Sequence, residues 1–376
     1  MSTSTRLSFR RISLGFLLLS VVALTSCRTE TVTAPDASGE ATGGGESVLT
    51  QAVRVTGAGA SFPAPLYQNW AITLAQQEPN LQVNYQSIGS GAGIEQFTSE
   101  TVDFGASDVA MTDDQKGAVA RGTILLPMTA GSIVMAYNLD GVDTGLKLTR
   151  DAYAGILAGQ ITNWSDSTIA DANPDIELPD RQITVVHRSD GSGTTGVLTK
   201  HLSAISQEWA DTFGEGTAIE WPTSGNFVGN RGNEGVTAQI QNVNGAIGYI
   251  EYGFAVNNGL AVAALENKAG NFVVPTDESA QATLAAVELP NNLRAFITDP
   301  EGDDSYPIVT YTWMMMFEQQ PDPVKSLALE KWVEFGLNEG QEQAPALGYV
   351  KLPDVVREKV AAAADVMNPD YTITLR

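Results

Sequence analysis

The chain has 376 residues, 43% of them hydrophobic and 17% charged, with 44 acidic against 21 basic side chains and a net charge of −23. That balance excludes nucleic acid as a partner, because phosphate backbones demand a basic face. It does not exclude a small anion: fields between exposed charges fade within about 10 Å at moderate salt, whereas an anion site works through dipoles and hydrogen bonds at contact.

The N-terminus reads as an export signal. Arg6, Arg10 and Arg11 precede an apolar run over 12–24 that is too short to span a bilayer comfortably. The run ends in Leu24-Thr25-Ser26-Cys27, which looks like a bacterial lipobox, where the cysteine becomes the lipidated N-terminus. Cys27 is also the only cysteine, so no intrachain disulfide can form. Residues 1–26 are therefore expected to be a lipoprotein signal peptide. The stretch that follows is poor in large apolar groups and carries Gly43-Gly44-Gly45. It predicts a flexible tether over 27–51, because such a composition buries too little surface to fold. The folded part is then lipid-anchored outside the cytoplasmic membrane, in the periplasm or at the cell surface.

About 325 residues remain, enough for two domains on the usual length prior. Short strand-like runs alternate with helical stretches, an α/β pattern. Val53-Arg54-Val55 leads into a glycine loop at 57–65, GAGASFPAP. Pro63 and Pro65 stand where a helix begins, with Leu66, Trp70 and Leu74 at helical spacing. Leu81, Val83 and Tyr85 alternate as a strand, followed by IGSGAG at 88–93 and a helix through Gln96. Residues 101–104 predict another strand, running into DFGASD at 103–108. Residues 183–186 predict a further one, ahead of HRSDGSGTTG at 187–196 and a helix to about Ile205. Near the C-terminus, 324–335 and Asp354–Ala364 read as helices, the first with Leu327, Trp332 and Phe335 on its packing face. Met314-Met315-Met316 reads as core filler.

Three of the four Gly/Ser/Thr-rich loops thus lie at strand-to-helix junctions and the fourth closes a strand at Asp108. Ligands of open α/β sheets collect there, at helix N-termini with unpaired N–H groups. The loops offer hydroxyls, amides that glycine lets approach closely, one arginine with a nearby acid, and one carboxylate. That is an inventory for a small tetrahedral oxyanion. A hydrolase is not supported: there is no G-x-S-x-G elbow, only two histidines, and no His/Cys cluster for a catalytic metal. GSGTTG also lacks the Lys-Ser/Thr ending of a P-loop. Neither catalytic residues, a metal nor a cofactor is expected.

GAGASFPAP, NYQSIGSGAG, TVDFGASD, RSDGSGTTG and NGAIGYIEYGFA, in that order from Val53 onward, strongly resemble the substrate-binding protein of bacterial high-affinity phosphate ABC transporters. The resemblance implies a two-lobed periplasmic-binding-protein (flytrap) α/β fold with a hinge and the ligand in the inter-lobe cleft. It implies lobe 1 from 52–130 and 311–376, and lobe 2 from 131–310. Carried over residue by residue, it implies phosphate binding by Ser61, Phe62, Ser90, Asp108, Arg188, Ser192, Gly193 and Thr194, with Asp190 orienting the arginine. Ser61 replaces the family's threonine, and Gly91 follows Ser90 where the family has serine. The implied partners are inorganic phosphate and the permease and ATPase subunits of an ABC importer, with the chain itself a monomer. Asp108 implies selectivity, since an ionised carboxylate only accepts hydrogen bonds and suits an anion that carries a proton. The alternatives are a receptor for a related oxyanion (phosphite, arsenate, sulfate) and a surface or sensory phosphate binder without transport.

Overall fold

The computed structural model describes residues 49–223 and 225–376. The signal peptide, Cys27 and all but the last three residues of the expected tether lie outside the described residues. Of those three, Leu49 packs with the hydrophobic core and its carbonyl accepts from Asn80 Nδ2 at 2.6 Å, while Thr50 and Gln51 are exposed. Ordered packing therefore begins before residue 52. No helix among the described residues is long and apolar enough to cross a membrane.

Eight principal strands form the fold: β1 Val53–Gly59, β2 Leu81–Ser87, β3 Phe104–Ser107, β4 Ile124–Asn138, β5 Thr184–Arg188, β6 Asn226–Asn230, β7 Ala246–Glu251 and β8 Val309–Met316. They hydrogen-bond in the order β2-β1-β3-β8-β4-β7-β5-β6, and the short strand Ala261–Val262 adds to β4. Each end is a parallel trio, β2-β1-β3 and β7-β5-β6. Antiparallel β8 and β4 join them. The long β4 is shared. Its residues up to Ser132 pair with β8, and from Ile133 onward they pair with β7, so Ile133 stands opposite Glu251. One strand thereby carries the sheet from one α/β half to the other.

Helices follow the strands as the pattern of glycine and proline directs. Six of them frame the site and the core: α1 Ala64–Gln77, α2 Ser90–Thr98, α3 Gly193–Ile205, α4 Gly232–Asn242, α5 Pro323–Leu337 and α6 Asp354–Ala364. Pro63 and Pro65 occupy the start of α1, where a missing N–H costs nothing. On α5, Trp332 and Phe335 are buried as expected, while Leu327 is only half-buried. Trp332 meets Trp70 of α1 at 5.7 Å between ring centroids, tilted 71°, an edge-to-face packing that suits the ring quadrupoles. The three consecutive methionines of β8 are fully buried, as expected of core filler.

One strand is displaced from its expected place. The sequence predicts it over 101–104, but β3 runs Phe104–Ser107. Asp103 instead ends the loop, accepting Thr56 N–H at 2.8 Å and holding Lys325 at 2.7 Å. β3 lies between two strands with both faces covered, so it needs small residues: a Cβ on Gly105 would come within 2.4 Å of Met315 Cε. A strand buried on both faces loses the two-residue alternation that marks an amphipathic one.

Candidate anion-binding site

The carboxyl ends of both parallel trios carry the loops singled out in the sequence, and those loops touch. Gly91 N–H donates to Gly191 carbonyl at 2.9 Å, linking the loop after β2 to the loop after β5. A Cβ on Gly193 would lie 2.5 Å from Ser90 Oγ and 2.8 Å from Asp108 N. Only glycine permits that approach.

Arg188 ends β5 and points its guanidinium at Asp190 two residues on. Nε donates to Oδ1 at 2.7 Å and Nη2 to Oδ2 at 2.5 Å, with 1% and 8% of the two side chains exposed. Gly232 N–H adds a third donor to Asp190 at 3.2 Å. Burial pushes the Asp190 carboxyl up, but the hydrogen bonds and charge of Arg188 outweigh it and leave the group below the usual carboxylate range. The pair leaves Arg188 with N–H groups on its other edge for a ligand.

Asp108 follows β3 and is almost fully buried. Its Oδ1 accepts from Thr312 Oγ1 at 2.9 Å and its Oδ2 from Thr194 Oγ1 at 3.3 Å. Burial pushes its carboxyl up to about 7, against Thr312, the Arg188 charge and the hydroxyl and N–H of Thr194, which all pull it down. Asp108 thus holds its proton far more tightly than a free carboxylate, and it is a pure acceptor, as the sequence suggests, only above about 7.

The hydroxyls are arranged just as closely. Ser61 lies between β1 and α1, where its Oγ accepts from Asn233 N at 3.0 Å and Asn233 Nδ2 at 3.1 Å. Ser90 opens α2 and its Oγ accepts Asp108 N–H at 3.3 Å. Ser192 caps α3, with Oγ accepting Thr195 N–H at 3.1 Å. All three are buried, and an oxygen that accepts keeps its own O–H to donate. Gly193 and Thr194 form the first turn of α3, whose leading N–H groups have no partner inside the helix. Phe62 packs its ring 6.1 Å from Tyr349 and its carbonyl accepts the Tyr349 hydroxyl at 2.7 Å, fixing the peptide beside Ser61.

The structure thus gathers Ser61, Phe62, Ser90, Asp108, Arg188, Asp190, Ser192, Gly193 and Thr194 around the meeting of the loops, while Cys27 is outside the described residues. Sequence reasoning missed Asn233, Thr312 and Tyr249. Tyr249 OH accepts Arg188 N–H at 3.0 Å and pairs with Thr195 Oγ1 at 2.6 Å. For Asn233 a signal existed: Gly232 follows β6 as glycine follows the other site strands. Thr312, inside β8, carries none.

A sequence profile described as the PBP superfamily domain matches residues 36–339. The phosphate-binding protein PstS of Pasteurella multocida is 41% identical over 320 residues, covering 84% of this chain and 91% of that protein. The protein of the same name from Methanocaldococcus jannaschii is 37% identical, covering 83% and 85%. Among solved structures, a high-affinity periplasmic phosphate-binding protein (PfluDING) bound with phosphate superposes with a TM-score of 0.68 at 21% identity, covering 82% of this chain and 93% of that one. The phosphate-binding protein from Stenotrophomonas maltophilia gives 0.66 at 20% identity, with the same coverage. These structural neighbours share the mixed α/β fold with its curled sheet.

Proposed function

The chain belongs to the PBP superfamily and, within it, to the phosphate-binding proteins, and from that premise we propose that it captures inorganic phosphate outside the cytoplasmic membrane and hands it to an ABC permease. The observation that carries this reading is the meeting of Arg188, Asp108 and the Ser61, Ser90 and Thr194 hydroxyls at the junction of loops from both trios. Such a cup offers donors on most sides and one acceptor.

Each group has a defined task. Arg188, held flat by Asp190, presents the free edge of its fork to two anion oxygens. Ser61, Ser90 and Ser192 donate hydroxyl hydrogens, and the N–H groups of Phe62, Gly193 and Thr194 donate from the backbone without adding a full charge. Asp190 offsets the arginine charge, so the anion is held mainly by neutral dipoles and can leave again. Ionised Asp108 accepts the proton that hydrogen phosphate carries; sulfate has none to give and meets a like charge in a buried site, a mismatch that grows as pH rises past about 7. That mismatch disfavours a sulfate receptor.

The proposed lobes are 52–130 with 311–376, and 131–310, hinged where β4 passes from β8 to β7. The proposed anchor is a lipid at Cys27, with the chain a monomer delivering phosphate to the permease and its ATPase. A surface or sensory binder without transport is the second reading, and no observation favours it.

Isothermal titration of the full chain, stripped of phosphate, tests the proposal near pH 7.5. The expected result is one-to-one binding of phosphate, with sulfate bound more weakly. Silence for phosphate would overturn the function, and equal binding of sulfate would overturn the role given to Asp108.

A further inference from the structure

Asn233 has no part in the inventory of anion contacts, yet its side chain is fully buried at the second position of α4 and every polar atom of it is used. Its Oδ1 accepts the backbone N–H of Glu251 at 3.3 Å, at the end of β7. That bond settles which way the amide points, because an N–H can only be met by the oxygen. Nδ2 must then face the cup. It donates to Ser61 Oγ at 3.1 Å and to Thr194 Oγ1 at 3.4 Å, and the backbone N–H of Asn233 donates to Ser61 Oγ at 3.0 Å.

The consequence for Ser61 follows from its valence. A hydroxyl oxygen has two lone pairs and one hydrogen. Asn233 engages both lone pairs, so Ser61 has only its O–H left to offer. Among the described residues no acceptor takes that hydrogen. Thr194 is biased in the same sense: it receives from Asn233 and gives to Asp108 Oδ2. A chain of donors runs from Glu251 N–H through Asn233 to Ser61, and through Thr194 to Asp108. A free serine at Ser61 could rotate and turn a lone pair toward an anion. This one cannot.

We propose that Asn233 is a positioning residue for anion binding, locking the Ser61 hydroxyl as a donor and tying the segment after β1 to the start of α4, 172 residues away. The proposal rests on the phosphate-binding function stated above. It also explains how Ser can stand at position 61: the rotamer control that a β-branched side chain would supply comes instead from two hydrogen bonds to its oxygen.

The test is a double-mutant cycle on the full chain, read by titration with inorganic phosphate: wild type, Asn233→Ala, Ser61→Ala and the pair. Alone, N233A is expected to weaken phosphate binding about tenfold, since it removes the Nδ2 donor but keeps the backbone one. With Ser61 already absent, the same substitution is expected to cost less than about threefold, through Thr194 only. A side chain that merely supported the fold would cost the same in both backgrounds, and that result would overturn the proposal. Asn233→Ser, which suits a helix start, repeats the cycle if alanine does not fold. Failure of the wild type to bind phosphate would sink the functional reading and the positioning role with it; tight wild-type binding with additive costs would sink the positioning role alone.

Discussion

Arg188 and Asp190 form a two-pronged ion pair in which both partners come from one three-residue span: Nε to Oδ1 at 2.7 Å, Nη2 to Oδ2 at 2.5 Å. A buried guanidinium needs a carboxylate to offset its desolvation, and a planar fork met by two oxygens cannot swing. The pair therefore fixes one edge of Arg188 in order to aim the other.

Asp190→Asn leaves a buried guanidinium with its carboxylate partner neutralised. Removing one side of a buried pair costs about 3–5 kcal/mol, so the phosphate-free chain should melt several degrees lower. Saturating phosphate supplies a new anion to the same guanidinium, and the phosphate-induced rise in Tm should exceed that of the wild type. Thermal unfolding with and without phosphate reads both numbers. An equal loss in the two conditions would show that Arg188 does not face the anion.

Asp108, with its carboxyl pushed up to about 7 chiefly by burial, should make sulfate binding depend on pH. Below that value it is protonated and donates; above it, it is ionised and repels an ion that brings no proton. Sulfate affinity is therefore present at acid pH and lost as pH rises through about 7, by close to tenfold per pH unit beyond it. Asp190, held below the usual carboxylate range, stays ionised throughout. Titrating sulfate from pH 5.5 to 8.5 reads the slope, and Asp108→Asn, whose amide donates at every pH, should abolish it. A level wild-type profile would remove Asp108 from the site.

The parts of this site that the sequence revealed are those written locally. Ser61, Ser90 and the Ser192-Gly193-Thr194 turn each sit where a strand gives way to a helix, and their Gly-rich surroundings announce it. Asp190 is two residues from Arg188, close enough to read as its partner. Thr312 was not legible as a site residue because its role arises from approach, over 204 residues to Asp108; for Asn233, 172 residues from Ser61, the preceding glycine marked the junction but not the partner. A buried threonine in a strand flanked by Tyr311 and Trp313 looks like ordinary core. The misplaced strand at 101–104 has a similar cause: its alternation is local, but the sheet selects Phe104–Ser107 because Gly105 and Ala106 fit between neighbours.

Glu330 on α5 is buried, and its carboxyl is pushed up to about 8, first by burial and then by the charges of Asp365 and Glu334, with Asn368 N–H pulling the other way. A folded-state value above the unfolded one means full stability below about 4.5 and progressive loss as pH rises toward 8. Glu330→Gln removes that loss. It should stabilise the phosphate-free chain by about 1–2 kcal/mol at pH 8, allowing for solvent screening, and hardly at all at pH 4. Denaturant unfolding at the two pH values measures the difference; the same gain at both would mean the carboxyl is not the cause.

Gly193→Ala separates folding from closure. In the observed arrangement an added methyl would lie 2.5 Å from Ser90 Oγ, 2.8 Å from Asp108 Cβ and 2.8 Å from Asp108 N. The serine oxygen could rotate away, but the backbone nitrogen and Cβ of Asp108 could not, so the loops must part. At the first position of α3 alanine gains little of the helix-interior advantage over glycine, so the unfolding midpoint should fall modestly with the lost loop contacts. Binding should suffer, because the donors on both sides of the cup reach the same anion only at 2.7–3.2 Å, about the length of a hydrogen bond. We expect phosphate affinity to fall by about a hundredfold or more while the chain still folds. Gly117→Ala is the control, since a methyl there meets no atom within 4 Å, and it should leave affinity alone. Wild-type affinity in Gly193→Ala would mean that the anion is not bound where Gly193 meets Ser90 and Asp108.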